Sequence, residues 1–144
     1  MSRSERPAPV VLDTNVLLDL LVFDDPSTHL LKREVEGGSL SWLATPPMRD
    51  ELQRVLTYPH IAARMLRQAV SGAAVLAWFD RYSQPQVPAA ACLAICRDKD
   101  DQKFIDLATA HGALLLSKDG AVLRLRKRLA TLGARVQAVF TPAA

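Results

Sequence analysis

An aspartate interrupts one of the most apolar stretches of this chain. Val10 to Leu21 reads VVLDTNVLLDLL, and Asp13 lies inside it. A lone buried carboxylate costs several kcal/mol unless something compensates it. Three further acids stand in comparable positions. Asp119 follows the apolar run ALLLS with one lysine between. Asp101 precedes QKFIDLATAH, whose helical periodicity puts Phe104, Ile105, Leu107 and Ala108 on one face, and Asp101 projects into that sector one turn earlier. Glu51 borders the stripe Met48, Leu52, Val55 and Leu56. Each has a plain reading alone: Asp13 and Asp119 as helix caps, Glu51 as a surface salt-bridge acid. Together they can converge, and converging carboxylates resist joint ionisation. A divalent cation removes that penalty, and all-oxygen ligands select a hard ion, Mg²⁺ or Mn²⁺. The expectation is that a metal compensates Asp13.

The elements that would position these acids follow from the pattern. Pro9 to Leu12 reads as a short buried strand, and Thr14 or Asn15 as the cap of the helix after it. Asp24 to Ser27 is a turn, Ser27 caps THLLKREVE, and Gly37-Gly38 stops it. LSWLA is a second strand. Thr45 caps a helix opened by Pro46 and Pro47 and ended by Pro59. Two Ala-rich helical pieces, parted near Ser71-Gly72, run on to Tyr82. Gln84 to Pro88 is a connector, and ACLAIC reads as a strand. Asp98 to Asp101 starts a helix that Gly112 closes, with Asp98 and Asp100 free to point outward and Asp106 on the solvated face. ALLLS is a strand, AVLRLRKRLATLG a single basic helix, and RVQAVF a last strand ended by Pro142.

Strands alternating with helices argue an α/β fold with a parallel sheet covered on both faces. Right-handed crossovers then put every strand's carboxyl end on one rim, where ligands sit if the strand order reverses. Asp13 and Asp119 both lie on that rim. With 144 residues and 49% hydrophobic content, one globular domain is expected, over residues 9–142 behind a loose tail at 1–8. Lys plus Arg is 18 against 15 acids, an excess that fits a nucleic-acid partner without demanding one. Cys92 and Cys96 cannot build a disulfide scaffold and lack zinc spacing. His29, His60 and His111 read as structural or surface residues. No signal peptide or membrane span is expected, and the cytoplasm is the default compartment.

Four pieces, in this order, carry a resemblance: VLDTNVLL, RDELQRVL, RDKDDQKFIDLA and LLLSKD. The sequence resembles the PIN-domain family over residues 9 to 142. The D-x-D-D-x-x-F form is similar to the branch of toxin components of toxin–antitoxin pairs. The resemblance implies a three-layer α/β/α sandwich with a central, mostly parallel sheet. It implies a ribonuclease dependent on Mg²⁺ or Mn²⁺, one or two ions per site, leaving 5′-phosphate and 3′-hydroxyl ends on RNA. Asp13, Glu51, Asp101 and Asp119 match the family's acidic quartet, Asn15 the polar residue two after the first acid, and Ser117 the small hydroxyl two before the last. Asp13, Asp101 and Asp119 are then ligands, Glu51 holds a second ion or orients the attacking water, and Asn15 and Ser117 fix carboxylate orientation. One departure is SKDGAV, where the branch carries a Thr-Gly-Asp-like turn and another acid soon after. Lys118 there adds a positive charge beside Asp119, which bears on how many ions the site takes.

Arg124, Lys127 and Arg128 face outward near the rim, and Arg49 and Arg54 lie on the exposed side of the Glu51 helix. These five can hold RNA phosphates, or belong to ordinary solvated faces. Trp78, Phe79 and Tyr82 read as core, or as a surface for an antitoxin protein or a second copy of the chain. Two other classes compete with the nuclease. A phosphatase of the D-x-D type needs an acid at position 15, where asparagine stands. A non-catalytic module of the same fold, binding RNA or protein, would show no saturable Mn²⁺ binding.

Overall fold

The computed structural model, which describes residues 7–92, 94–96 and 98–141, is organised about one strand. That strand is β1 (Ala8–Leu12), in which Val10, Val11 and Leu12 are almost wholly buried. β2 (Leu40–Ala44) and β3 (Ser83–Pro85) lie to one side of it, and β4 (Leu114–Leu116) and β5 (Arg135–Gln137) to the other. The order is β3-β2-β1-β4-β5, and every pairing is parallel. The chain winds outward from β1 to β3, crosses back, and winds outward again from β4. Right-handed crossovers put the helices of the two windings on opposite faces, which makes three α/β/α layers. The winding reverses between β1 and β4, where Val10 pairs with Leu114 and Leu12 with Leu116.

The helices are α1 (Thr14–Leu21), α2 (His29–Gly37), α3 (Pro46–Val55), α4 (Pro59–Gln68), α5 (Gly72–Tyr82), α6 (Gln102–His111), α7 (Gly120–Leu123) and α8 (Arg126–Thr131). α6 packs on β1 and β4 with Phe104, Ile105, Leu107 and Ala108 buried, the face its periodicity marks. Gly112 ends it at φ 59°, where a side chain would be strained. Trp78 and Phe79 pack on the buried Trp42, with ring centroids 5.3 and 4.8 Å away, and Tyr82 stacks on Trp78. The aromatic cluster is therefore core packing, with Trp78 and Tyr82 only partly covered. Among the described residues no helix is long and apolar enough to cross a membrane.

Several local expectations need correction. Asp13, not Thr14 or Asn15, caps α1, because β1 ends at Leu12 and leaves its carboxylate beside the Val16 amide. Asp25 rather than Ser27 caps the turn before α2. Pro59 opens α4 instead of ending α3, which stops at Val55. The connector at Gln84 contains the short edge strand β3. The strand expected at ACLAIC is absent from its described part; Leu93 lies outside the described residues. The basic helix is broken at Leu125 into α7 and α8. β1 begins at Ala8, inside the expected tail, whose first six residues lie outside the described ones, as does Pro142. Asp106 is not solvated: it is 8% exposed and accepts hydrogen bonds from the Cys92 amide (3.0 Å) and Gln102 Nε2 (2.9 Å).

Asp106 therefore gives the first test. Asp106→Ala leaves the partly buried Cys92 amide unpaired and should cost about 1–3 kcal/mol in urea unfolding. A loss within about 0.5 kcal/mol, as expected of a surface acid, would return Asp106 to the solvated face.

Candidate active site at the carboxyl rim

The reversal between β1 and β4 brings the first and last acids together. The Asp13 amide donates to the carbonyl of Leu116 (3.1 Å), so the end of β1 is tied to the end of β4. Asp13 Oδ1 accepts from Val16 N (2.9 Å), and its carboxylate also hydrogen-bonds the Ser117 hydroxyl. Ser117 Oγ in turn accepts the Asp119 amide (3.1 Å). Ser117, fully buried, thus joins the two acids. Asp119 spends Oδ1 on the Ala121 amide (2.8 Å) and caps α7. Burial raises the pKa of Asp13, the bonds from Ser117 and Val16 oppose the rise, and Asp119 and Glu51 add to it. Asp13 is compensated in part by protein donors, and does not depend on a metal alone.

Asp101 is the least satisfied of the four. Its Oδ2 is buried without a hydrogen-bond partner. Burial first, and then the charge of Asp119, push its pKa up to about 7. Asp98 accepts the Asp100 amide (2.9 Å) in the turn before α6, and though exposed it also lines the cleft. Oxygen atoms of Asp98, Asp101 and Asp119 all lie within 4.8 Å of one another. An all-oxygen donor set with one buried, unbonded oxygen fits a hard divalent cation.

Glu51 stands across the cleft on α3. Its Oε2 accepts the Thr14 hydroxyl, and its Oε1 binds the Lys103 ammonium. The cleft lined by Asp13, Thr14, Asn15, Glu51, Asp98, Asp101 and Asp119, among others, has a volume of about 200 Å³. That is room for a phosphate group and a hydrated ion, and too little for a large buried ligand.

All four expected acids therefore share one cleft. Asn15 lines it as an exposed residue, and Ser117 lies beneath it. Arg54 lines it as well. Arg49 is turned away and makes a two-pronged bond to Asp80 of α5 (2.7 and 2.9 Å). Arg124, Lys127 and Arg128 are exposed, and the Arg124 guanidinium lies beside Gly120, next to Asp119. Lys118 does not place its charge against Asp119; it pairs with Asp19 of α1. Three members of the site were not expected. Asp98 was read as pointing outward, Thr14 only as a cap, and Lys103 not at all. Lys103 carried a signal, since a cation in the first turn of a helix opposes the macrodipole and needs an anion to hold it.

The PIN domain family matches residues 9–120, most of the chain. Among solved structures, the fold is similar to a chain in the crystal structure of VapBC2 from Rickettsia felis bound to a DNA fragment from their promoter. The TM-score is 0.59 at 15% identity, over 89% of this chain and 98% of that one. No curated protein matches the sequence.

The raised pKa values set a pH dependence. The folded, metal-free chain keeps protons on Asp13 and Asp101 at pH values where the unfolded chain has released them. Stability should be fully present below about pH 4 and lost as pH rises toward 7, by linkage. In EDTA at neutral pH, Asp101→Asn should melt above the parent. Asp13→Ala, which loses a cap and a buried bond, should melt below it. An Asp101→Asn chain that melts lower than the parent in EDTA would show that the cleft is not under like-charge strain.

Proposed function

The chain belongs to the PIN-domain family, and from that premise we propose that it is a metal-dependent endoribonuclease and the toxin of a toxin–antitoxin pair, acting in the cytoplasm. One observation carries the catalytic reading: Asp98, Asp101 and Asp119 converge on the rim where the sheet winding reverses, around a buried oxygen with no protein partner. Asp101 and Asp119 would hold the ion, with Asp98 and Asp13 at its flanks. Bound there, Mg²⁺ or Mn²⁺ supplies charge that neutralises a phosphoryl oxygen and eases proton loss from water.

The protein's own groups do the rest. Val16 N–H and the Ser117 hydroxyl fix the Asp13 carboxylate, so that it does not swing when its charge changes. With its pKa pushed up to about 7, Asp101 is partly protonated near neutral pH in the metal-free cleft, and a bound cation would favour its ionised form. Glu51 is held by Thr14 and Lys103, and Arg54 lines the mouth. Arg124, Lys127 and Arg128 continue the positive charge along α7 and α8, where an RNA backbone can lie. The antitoxin partner is a separate part of the reading. It rests on the toxin-like D-x-D-D-x-x-F motif and on a fold neighbour that was itself crystallised as the VapBC2 assembly.

Two measurements test this reading. Asp101→Asn and Asp119→Asn should each lower Mn²⁺-dependent cleavage of RNA by at least about 100-fold while the fold is kept. Parent-like cleavage by either variant would remove the site. Replacing Arg124, Lys127 and Arg128 together by Ala should flatten the slope of log affinity against log salt by roughly 2, at about 0.7 per phosphate contact on a single strand. An unchanged slope would assign the three to an ordinary solvated face.

A further inference from the structure

Beside the converging aspartates lies a second half of the cleft, built differently. Both oxygens of Glu51 are already engaged: Lys103 donates to Oε1 and Thr14 to Oε2. Lys103 is anchored again by the carbonyl of Asp100, and its ammonium lies 4.9 Å from the centroid of the Phe104 ring. Only 25% of the Lys103 side chain and 13% of the Glu51 side chain are exposed, so this is a partly buried, shielded pair. Glu51 is not one of the carboxylates that converge on Asp101.

We propose that the Lys103 ammonium takes the place of a second divalent ion. The cleft then holds one metal ion, on the Asp101–Asp119 side, and Lys103 supplies the other positive charge. The proposal rests on the metal-dependent reading above. A second ion at Glu51 would have to expel an ammonium that is fixed at two points, and would be repelled by it while it stayed. Two of the three Lys103 N–H donors are used by Glu51 and Asp100. The third is left for one phosphate oxygen of the substrate. Glu51 is on this account the anchor of Lys103 and a positioning residue, not a ligand.

Mn²⁺ binding to the full chain, counted by isothermal titration calorimetry and by electron paramagnetic resonance of the free ion, tests the proposal. The parent should take one ion. Glu51→Gln should leave the affinity within about threefold, whereas Asp101→Asn should weaken it by at least about tenfold, as loss of a ligand does. Lys103→Met, which frees a carboxylate oxygen of Glu51, should admit a second ion. Two ions on the parent, a Glu51→Gln chain as impaired as Asp101→Asn, or a Lys103→Met chain that still takes only one would each overturn the assignment. The count on the parent needs no variant, so the decision does not depend on how a variant folds. A parent that binds no Mn²⁺ at all would overturn the metal-dependent reading itself, and the single-ion assignment with it.

Discussion

Like charges held at one rim are the constraint that the rest of the structure answers. Two ionised carboxylates whose oxygens lie within 4.8 Å repel by at least about 3 kcal/mol at an effective dielectric of about 20. What holds them there is the sheet beneath. Val10, Val11 and Leu12 of β1 and Leu114, Leu115 and Leu116 of β4 are all buried, and at roughly 1.5–3 kcal/mol each their burial is worth on the order of 10 kcal/mol. The apolar ladder outweighs the acids it carries. Its parallel register also decides which acids meet, because both strands end on the same side.

The charge is then divided rather than simply tolerated. Asp13 and Asp119 turn one oxygen each to the first amides of a helix, and share Ser117 between them. Glu51 is neutralised by a lysine of the same cleft. Lys118, the cation nearest to Asp119 in sequence, is drawn off by Asp19 and so leaves the converging aspartates without a competing ammonium. Asp101 is the carboxylate left with a buried, unbonded oxygen. A cleft arranged this way gives the other carboxylates protein partners and leaves one buried oxygen, on Asp101, without any.

Most of the frame is legible in the sequence because apolar runs bounded by Pro, Gly and Asp admit few alternatives. PVVL, LSWLA and ALLLS announce β1, β2 and β4, and the parallel order brings Asp13 to Asp119 without further information. Legibility fails where side chains satisfy the backbone in place of a neighbouring strand. ACLAIC is apolar enough for a strand, yet the Cys92 amide is taken by Asp106, and the Cys96 amide and Ala94 carbonyl by Gln102. The edge position falls instead to Ser83–Pro85, where a proline can sit because no further strand needs its missing donor. Runs of residues that can all cap a helix, such as Asp13-Thr14-Asn15, cannot be ranked until the end of the strand is known. Glu51, Thr14 and Lys103 lie far apart in the chain, and nothing local to any one of them announces the pair it joins.

The position of β1 at the centre of the sheet also has a consequence in time. A ribosome delivers Asp13 and Glu51 early, but their companions come from residues 98–119, and β1 cannot pair with β4 before residue 116 has emerged. Contacts that span about a hundred residues form slowly and late. Until then the nascent chain has its first strands and helices but no assembled cleft. The acids are therefore gathered into one cleft only once the second winding of the sheet has closed.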